Sequence, residues 1–283
     1  MTHLIGIQAV TFSRKTRARV VLKLGGELLE HPEDIARVAT GIARLAALAQ
    51  LTVVHGGGKE IDAALAAAGI AKRQVDGLRV TDEATLAVVV GVLAGSINTR
   101  LVAAVRRAGG RPVGLTGADA DVAVMRRAKP IVSTQGDTVD LGLVGTPSGT
   151  AAPALLLGLL KSGYVPVVAC VSAGKNGKLY NVNADTLAGY LAARLKAKRL
   201  VIAGGTAGVL DKRGQTIPRL NKTHIAKLVT SGTANAGMIA KLTACEAALA
   251  GASSVVIIDG RDARRIAKAV ALQKTDATSR VVK

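Results

Sequence analysis

Arg19-Val20-Val21-Leu22-Lys23-Leu24-Gly25-Gly26 decides the fold. Its apolar run does not alternate with polar residues, so it reads as a strand covered on both faces, as in parallel sheets. Comparable runs recur at Leu51–His55, Arg111–Leu115, Tyr164–Val171, Arg199–Ala203 and Ser254–Ile258. Helical periodicity lies between them. Ile35, Val38, Ala39, Ile42, Leu45 and Ala46 fall on one face, with Arg37 and Arg44 opposite. Alternating strands and helices predict an α/β protein built from parallel βαβ units. Thr81-Asp82-Glu83 opens a helical stretch to Arg107, with acids in its first turn and Gly109-Gly110 beyond its end. The segment from Ala120 to Val144 mixes small, charged and β-branched residues and reads as hairpins projecting from the sheet. A change of lobe is expected near Asp185.

The chain has 283 residues, enough to bury a large core, and a net charge of +19. Between Arg194 and Lys227 nine Lys or Arg stand against a single acid, Asp211. Such a field attracts polyanions. With one Phe, three Tyr and no Trp, stacking readers of single-stranded nucleic acid are disfavoured, and nucleic acid is not an expected partner. Cys170 and Cys245 lack metal-ligand spacing and read as small buried hydrophobes, in keeping with a reducing cytoplasm. Residues 1–19 place an apolar stretch before Arg and Lys, the reverse of a secretory signal, and read as an N-terminal arm. The uncharged run Ala84 to Asn98 is short for a bilayer, and no membrane association is expected.

Five short motifs carry chemistry. Lys23 ends a strand and is followed by Gly25-Gly26. A cation and bare N–H groups there suit a transferring phosphoryl group, or simply a lysine leaving the sheet in a tight turn. His55-Gly56-Gly57-Gly58 precedes a helix and makes an anion cradle of backbone N–H groups. It matches neither the phosphate loop nor the dinucleotide fingerprint, and His55 reads as a packed turn residue. Arg79, in Gly77-Leu78-Arg79-Val80-Thr81, has the fork that grips a carboxylate, although a lone arginine is also ordinary surface. Asn181-Val182-Asn183-Ala184-Asp185 gathers amides and a carboxylate that also suit a helix cap. Lys241, in Gly237-Met238-Ile239-Ala240-Lys241, is read in the first turn of a helix. There the dipole disfavours a cation by about 0.3–1 kcal/mol, which points to a ligand-facing role.

In this order the five motifs resemble the amino-acid kinase family, and within it the branch that phosphorylates N-acetyl-L-glutamate, from about Val20 to about Arg261. The resemblance implies a three-layer αβα sandwich with a mostly parallel central sheet in two lobes. Residues 20–185 would bind the acyl amino acid and dimerise; residues 186–283 would bind the nucleotide. It implies transfer from ATP to the substrate's γ-carboxylate, with Mg²⁺ held by the nucleotide phosphates and no protein metal ligand. Lys23 and Lys241 would neutralise the phosphoryl group, with Asp185 positioning them. Gly57 and Gly58 would meet the acyl end, Arg79 the α-carboxylate, and Asn181 and Asn183 would complete the substrate site. Gly25, Gly26, Gly204, Gly205, Gly237 and Met238 would meet the nucleotide. A homodimer through the helix from Asp82 to Arg107 is expected.

The chain departs from the family at Gly204-Gly205, where Ser/Thr-Asp is usual, and at Ala277-Thr278, where Gly-Thr is usual. The first departure opens a rival reading as a degenerate kinase fold that only binds. The second, with the short arm, argues against arginine feedback. A further alternative, motivated by the +19 charge, is an aminoadipate or glutamate substrate displayed on an acidic carrier protein.

Overall fold

A computed structural model describes residues 17–230, 236–274 and 278–282. Most of the expected arm, residues 1–16, and Ala277 lie outside the described residues. β1 (Arg19–Leu24) leads through a 3-10 turn, Gly26–Leu28, to α1 (Pro32–Leu45), β2 (Gln50–His55) and α2 (Gly58–Ala67). β3 (Gln74–Val75) and β4 (Leu78–Arg79) form a small hairpin. A long helix follows in three parts: α3 (Glu83–Val90), a π-helical segment Gly91–Ile97, and α4 (Asn98–Arg107). After β5 (Pro112–Thr116) come β6 (Met125–Arg127), the hairpin of β7 (Ile131–Val132) and β8 (Thr138–Val139), and β9 (Gly145–Pro147), which returns to pair with β6. The expected hairpins are therefore present. α5 (Ala154–Lys161), β10 (Val165–Ala169) and the hairpin of β11 (Val171–Ala173) and β12 (Leu179–Asn181) precede α6 (Ala184–Arg194). β13 (Arg199–Gly204), β14 (Arg219–Leu220), α7 (Lys222–Thr230), α8 (Ala236–Ala248), β15 (Val255–Asp259), α9 (Ala263–Val270) and β16 (Ser279–Val281) complete the order.

One eight-stranded sheet, ordered β14-β16-β15-β13-β1-β2-β10-β5, runs through the molecule. It is parallel except where β16 meets β15. Its central strands are buried along almost their whole length, as their unbroken apolar character requires. The chain first builds outward from β1 through β2, then returns to lay β13 on the other side of β1. Strand order reverses there, and α/β sheets hold ligands at the carboxyl ends beside such a switch point. Leu22 and Leu24 face a cavity lined by α1 and α9, whereas Lys23 pairs with Asp185 of α6. Alternation along β1 thus puts α1 and α9 on one face and α6 on the other.

Three expectations need correction. The run Tyr164–Val171 is not one strand. β10 leaves the sheet after Ala169 because Cys170 O accepts from Val182 N and Val171 O accepts from Gly117 N, committing this backbone to the next hairpin. Lys241 lies in the second turn of α8, not the first, so the helix dipole does not press on it as expected. The helix Glu83–Arg107 spans 25 residues and is long and apolar enough to cross a membrane by length and composition, which the count of uncharged residues understates. Its buried Asn98, Leu101 and Val105, and its contacts with α1, β5 and β10, tie it to the globular core.

Candidate active site

A cavity of about 240 Å³ opens at the carboxyl ends of β1 and β2. Lys23, Gly57, Gly58, Arg79, Asn181 and Asn183, all singled out in the sequence, line it together. Gly26, expected on the nucleotide side, lines it too, with Gly56, Leu93, Val144 and Cys170. Gly57 is a glycine because the long helix crosses the loop here: a Cβ would overlap Ile97 Cδ1 and stand 3.0 Å from Leu93 Cδ2. The helix widens into its π-helical segment over these residues.

Asp185 sits between the two motif lysines. Lys23 Nζ stands 3.0 Å from Oδ1, and Lys241 Nζ donates to Oδ2 at 2.9 Å. Burial pushes the carboxyl pKa up, but the charges of Lys23 and Lys241 outweigh it and hold the group below the usual carboxylate range. Burial likewise lowers Lys23, and Asp185 more than reverses that, raising the lysine above its ordinary value. Two ammonium groups on one carboxylate give the cluster one net positive charge. Each ammonium has three donors, so each retains N–H groups for an incoming anion.

Arg79 is buried, and its Nη2 donates to Asp62 Oδ1 and to Gly58 O at 3.4 Å. Its Nη1 is buried without a hydrogen-bond partner. An unpaired buried guanidinium nitrogen is costly unless a ligand completes it, and a carboxylate fits the free half of the fork. Asn181 Nδ2 donates to Thr81 Oγ1 at 3.1 Å. Asn183 Oδ1 accepts from the Asp185 and Thr186 amides and caps α6. Its amide oxygen is thus committed to the helix, which fixes the Asp185 carboxylate in turn.

His55 is fully buried. Asn98 Nδ2 donates to its Nε2 at 3.0 Å and to Val167 O at 2.9 Å. Nε2 is then an acceptor, and Nδ1–H donates to Gly56 O at 3.1 Å. Burial depresses the imidazole pKa to about 4. The ring is a neutral strut under the glycine loop, as expected, and not a base. Cys170 donates from Sγ to His55 O at 3.0 Å, and burial raises its thiol to about 12.

Gly25, Gly204 and Gly205 meet across the switch point. Gly25 N donates to Ala203 O at 2.8 Å, and Gly205 N donates to Glu27 Oε1 at 2.6 Å. Gly237 and Met238 open α8, and Met238 packs against the apolar core. Met238 does not line the cavity. The basic stretch is not a single surface: Arg199 is buried, donating to Ala269 O and Gln273 O, while Arg194 reaches Thr150 O. Glu27, Asp62, Thr81 and Asn98 escaped the sequence reading because their partners are brought to them by the fold.

An α/β sheet with two glycine turns at its switch point, two lysines on one carboxylate and a half-satisfied arginine defines an anion-handling enzyme core. The profile of the amino acid kinase family matches residues 18–259, and the chain belongs to that family. It is 41% identical over 252 residues to an acetylglutamate kinase of Novosphingobium aromaticivorans, covering 85% of this chain and 83% of that one. To an acetylglutamate kinase of Azorhizobium caulinodans it is 42% identical over 250 residues, covering 86% and 83%. Among solved structures, the fold resembles N-acetylglutamate synthase of Neisseria gonorrhoeae complexed with coenzyme A and N-acetyl-glutamate. There the TM-score is 0.77 at 23% identity, over 94% of this chain and 59% of that one. It also resembles carbamate kinase of Giardia lamblia bound to AMP-PNP, with TM-score 0.65 at 14% identity over 95% and 99%. These last two likenesses concern the fold alone.

Proposed function

We propose that the protein transfers the γ-phosphoryl group of ATP to the γ-carboxylate of N-acetyl-L-glutamate, giving the acyl phosphate and ADP, a step of arginine biosynthesis. The observation that carries this is a single cavity containing both an unpaired buried arginine nitrogen and a lysine of the Lys23–Asp185–Lys241 cluster. Arg79 takes the α-carboxylate, its geometry already set by Asp62. Gly57 and Gly58 present N–H groups to the acyl end, and Asn181 and Asn183 border the substrate. The attacking carboxylate is ionised at neutral pH, so no general base is needed, in keeping with a neutral, buried His55. Phosphoryl transfer depends on positioning and charge neutralisation. Lys23 and Lys241 supply the charge, and Asp185 holds them apart in fixed orientation.

The nucleotide lies on the Gly25, Gly204 and Gly205 side, near the start of α8. The cradle there already accepts a carboxylate oxygen on a backbone N–H, so it fits a phosphate oxygen. Mg²⁺ carried by the phosphates supplies further charge neutralisation when bound; Asp185, with both oxygens taken by lysines, is not available to hold it. Residues 20–185 form the substrate-binding and dimerising part and 186–283 the nucleotide-binding part, working in the cytoplasm. The degenerate-fold reading is disfavoured because both lysines and Arg79 are in place. A carrier-bound substrate draws its support from the +19 charge. Coupled ADP release measured with N-acetylglutamate, N-acetylaminoadipate and glutamate separates these readings. Turnover with N-acetylglutamate is expected to dominate, and turnover with none of the three would reject the proposal.

A further inference from the structure

The nucleotide cradle already holds an anion, and the chain itself supplies it. Glu27 lies in the 3-10 turn after β1, at the switch point between β1 and β13. Its Oε1 accepts from Gly205 N at 2.6 Å. A Cβ on Gly25 would overlap its carboxylate, and one on Gly204 would stand 3.2 Å from Oε1. Glycines on both flanking strand ends therefore leave room for a carboxylate group. Three cations feel its charge, Lys23, Lys59 and Arg261. Each makes its own ion pair elsewhere, with Asp185, Glu30 and Asp259. Glu27 thus sits among three paired cations and bare backbone, and makes no salt bridge of its own among the described residues. It is also exposed, so rotation about its side-chain bonds is enough to withdraw it.

We propose that Glu27 is a resident anion of the phosphate cradle, occupying it in the nucleotide-free protein and withdrawing when the nucleotide's phosphate chain enters. The proposal rests on the nucleotide reading given above. In place, the carboxylate satisfies Gly205 N–H and excludes weak anions from the cradle. A phosphate chain, with more charge and more acceptor oxygens, displaces it. The device therefore selects polyphosphates over single weakly charged anions, at some loss of affinity.

Isothermal titration of wild type, Glu27→Gln and Glu27→Ala with inorganic tripolyphosphate, at one fixed salt concentration, tests this. Gln keeps an acceptor for Gly205 N–H and removes the charge alone, so a purely structural role would leave its affinity unchanged. The expected result is tripolyphosphate binding about 5-fold tighter or more in Glu27→Gln, the lower end of ordinary coupling between two sites. Glu27→Ala should tighten in the same direction, and N-acetyl-L-glutamate affinity should stay unchanged in both. Equal binding would overturn the proposal. Weaker binding would also overturn it, showing that the carboxylate supports the cradle. If no form binds tripolyphosphate or ADP, the nucleotide reading itself falls, and this proposal with it.

Discussion

Three side chains concentrate the chemistry at the residue scale. Lys23 and Lys241 share one carboxylate, and among the described residues each ammonium has this one acceptor. Charge stabilisation of this kind acts mainly in the transition state. Lys23→Ala and Lys241→Ala should each cut kcat by about 10²–10³-fold, the scale for a lost oxyanion donor, with a much smaller effect on N-acetylglutamate binding. Near-normal turnover in steady-state kinetics would remove that lysine from the mechanism. Arg79→Lys should raise KM for N-acetylglutamate, because an ammonium cannot offer the second prong that Nη1 provides. A rise in KM for ATP alone would place Arg79 on the wrong side of the reaction. Lys23 and Arg79 were legible in the sequence because each stands beside a glycine turn. Asp62, Asn98 and Glu27 were not: Asn98 meets His55 from 43 residues away and Glu27 meets Gly205 from 178. No local pattern records such pairings.

At the scale of elements, the glycine loop after β2 depends on a neutral histidine. Both hydrogens of the Asn98 amide are used, on His55 Nε2 and Val167 O. A protonated ring would set donor against donor. With a folded pKa of about 4 against 6.5 in the unfolded chain, the unfolded state binds the extra proton between these values. Stability is therefore full above about pH 6.5 and falls as pH drops towards 4, by about 3 kcal/mol at one pKa unit per 1.36 kcal/mol. Urea midpoints measured from pH 7 to 4.5 should fall in wild type and flatten in His55→Gln. Equal slopes would show that His55 does not titrate in this window. The strands of the sheet were legible because full burial imposes continuous apolar runs. The break at Cys170 was not, since it depends on partners at Gly117 and Val182 rather than on composition.

For the whole molecule, the reversal of strand order at β1 explains why the site lies where it does, and the sequence indicated it only through the recurrence of strand-glycine units. The eight-stranded sheet takes strands from both sides of Asp185, so the change of lobe expected there does not coincide with a break in the sheet. The helix Glu83–Arg107 has 33% of its most apolar stretch buried, and Val88, Val90 and Val92 are half-covered. We propose that a second copy covers this part-buried apolar face. Light scattering at micromolar concentration should give a dimer, and Val90→Glu should weaken it. A monomer would leave the helix face without an explanation.

The central claim is that a carboxylate becomes an acyl phosphate in the cavity shared by Lys23 and Arg79. The most direct measurement traps that product: incubation with ATP, Mg²⁺, N-acetyl-L-glutamate and hydroxylamine, with the hydroxamate quantified against time. Hydroxamate should form in step with ADP, require N-acetyl-L-glutamate, and fall with Lys23→Ala. ADP release without hydroxamate, or no reaction in the folded wild-type protein, would contradict it.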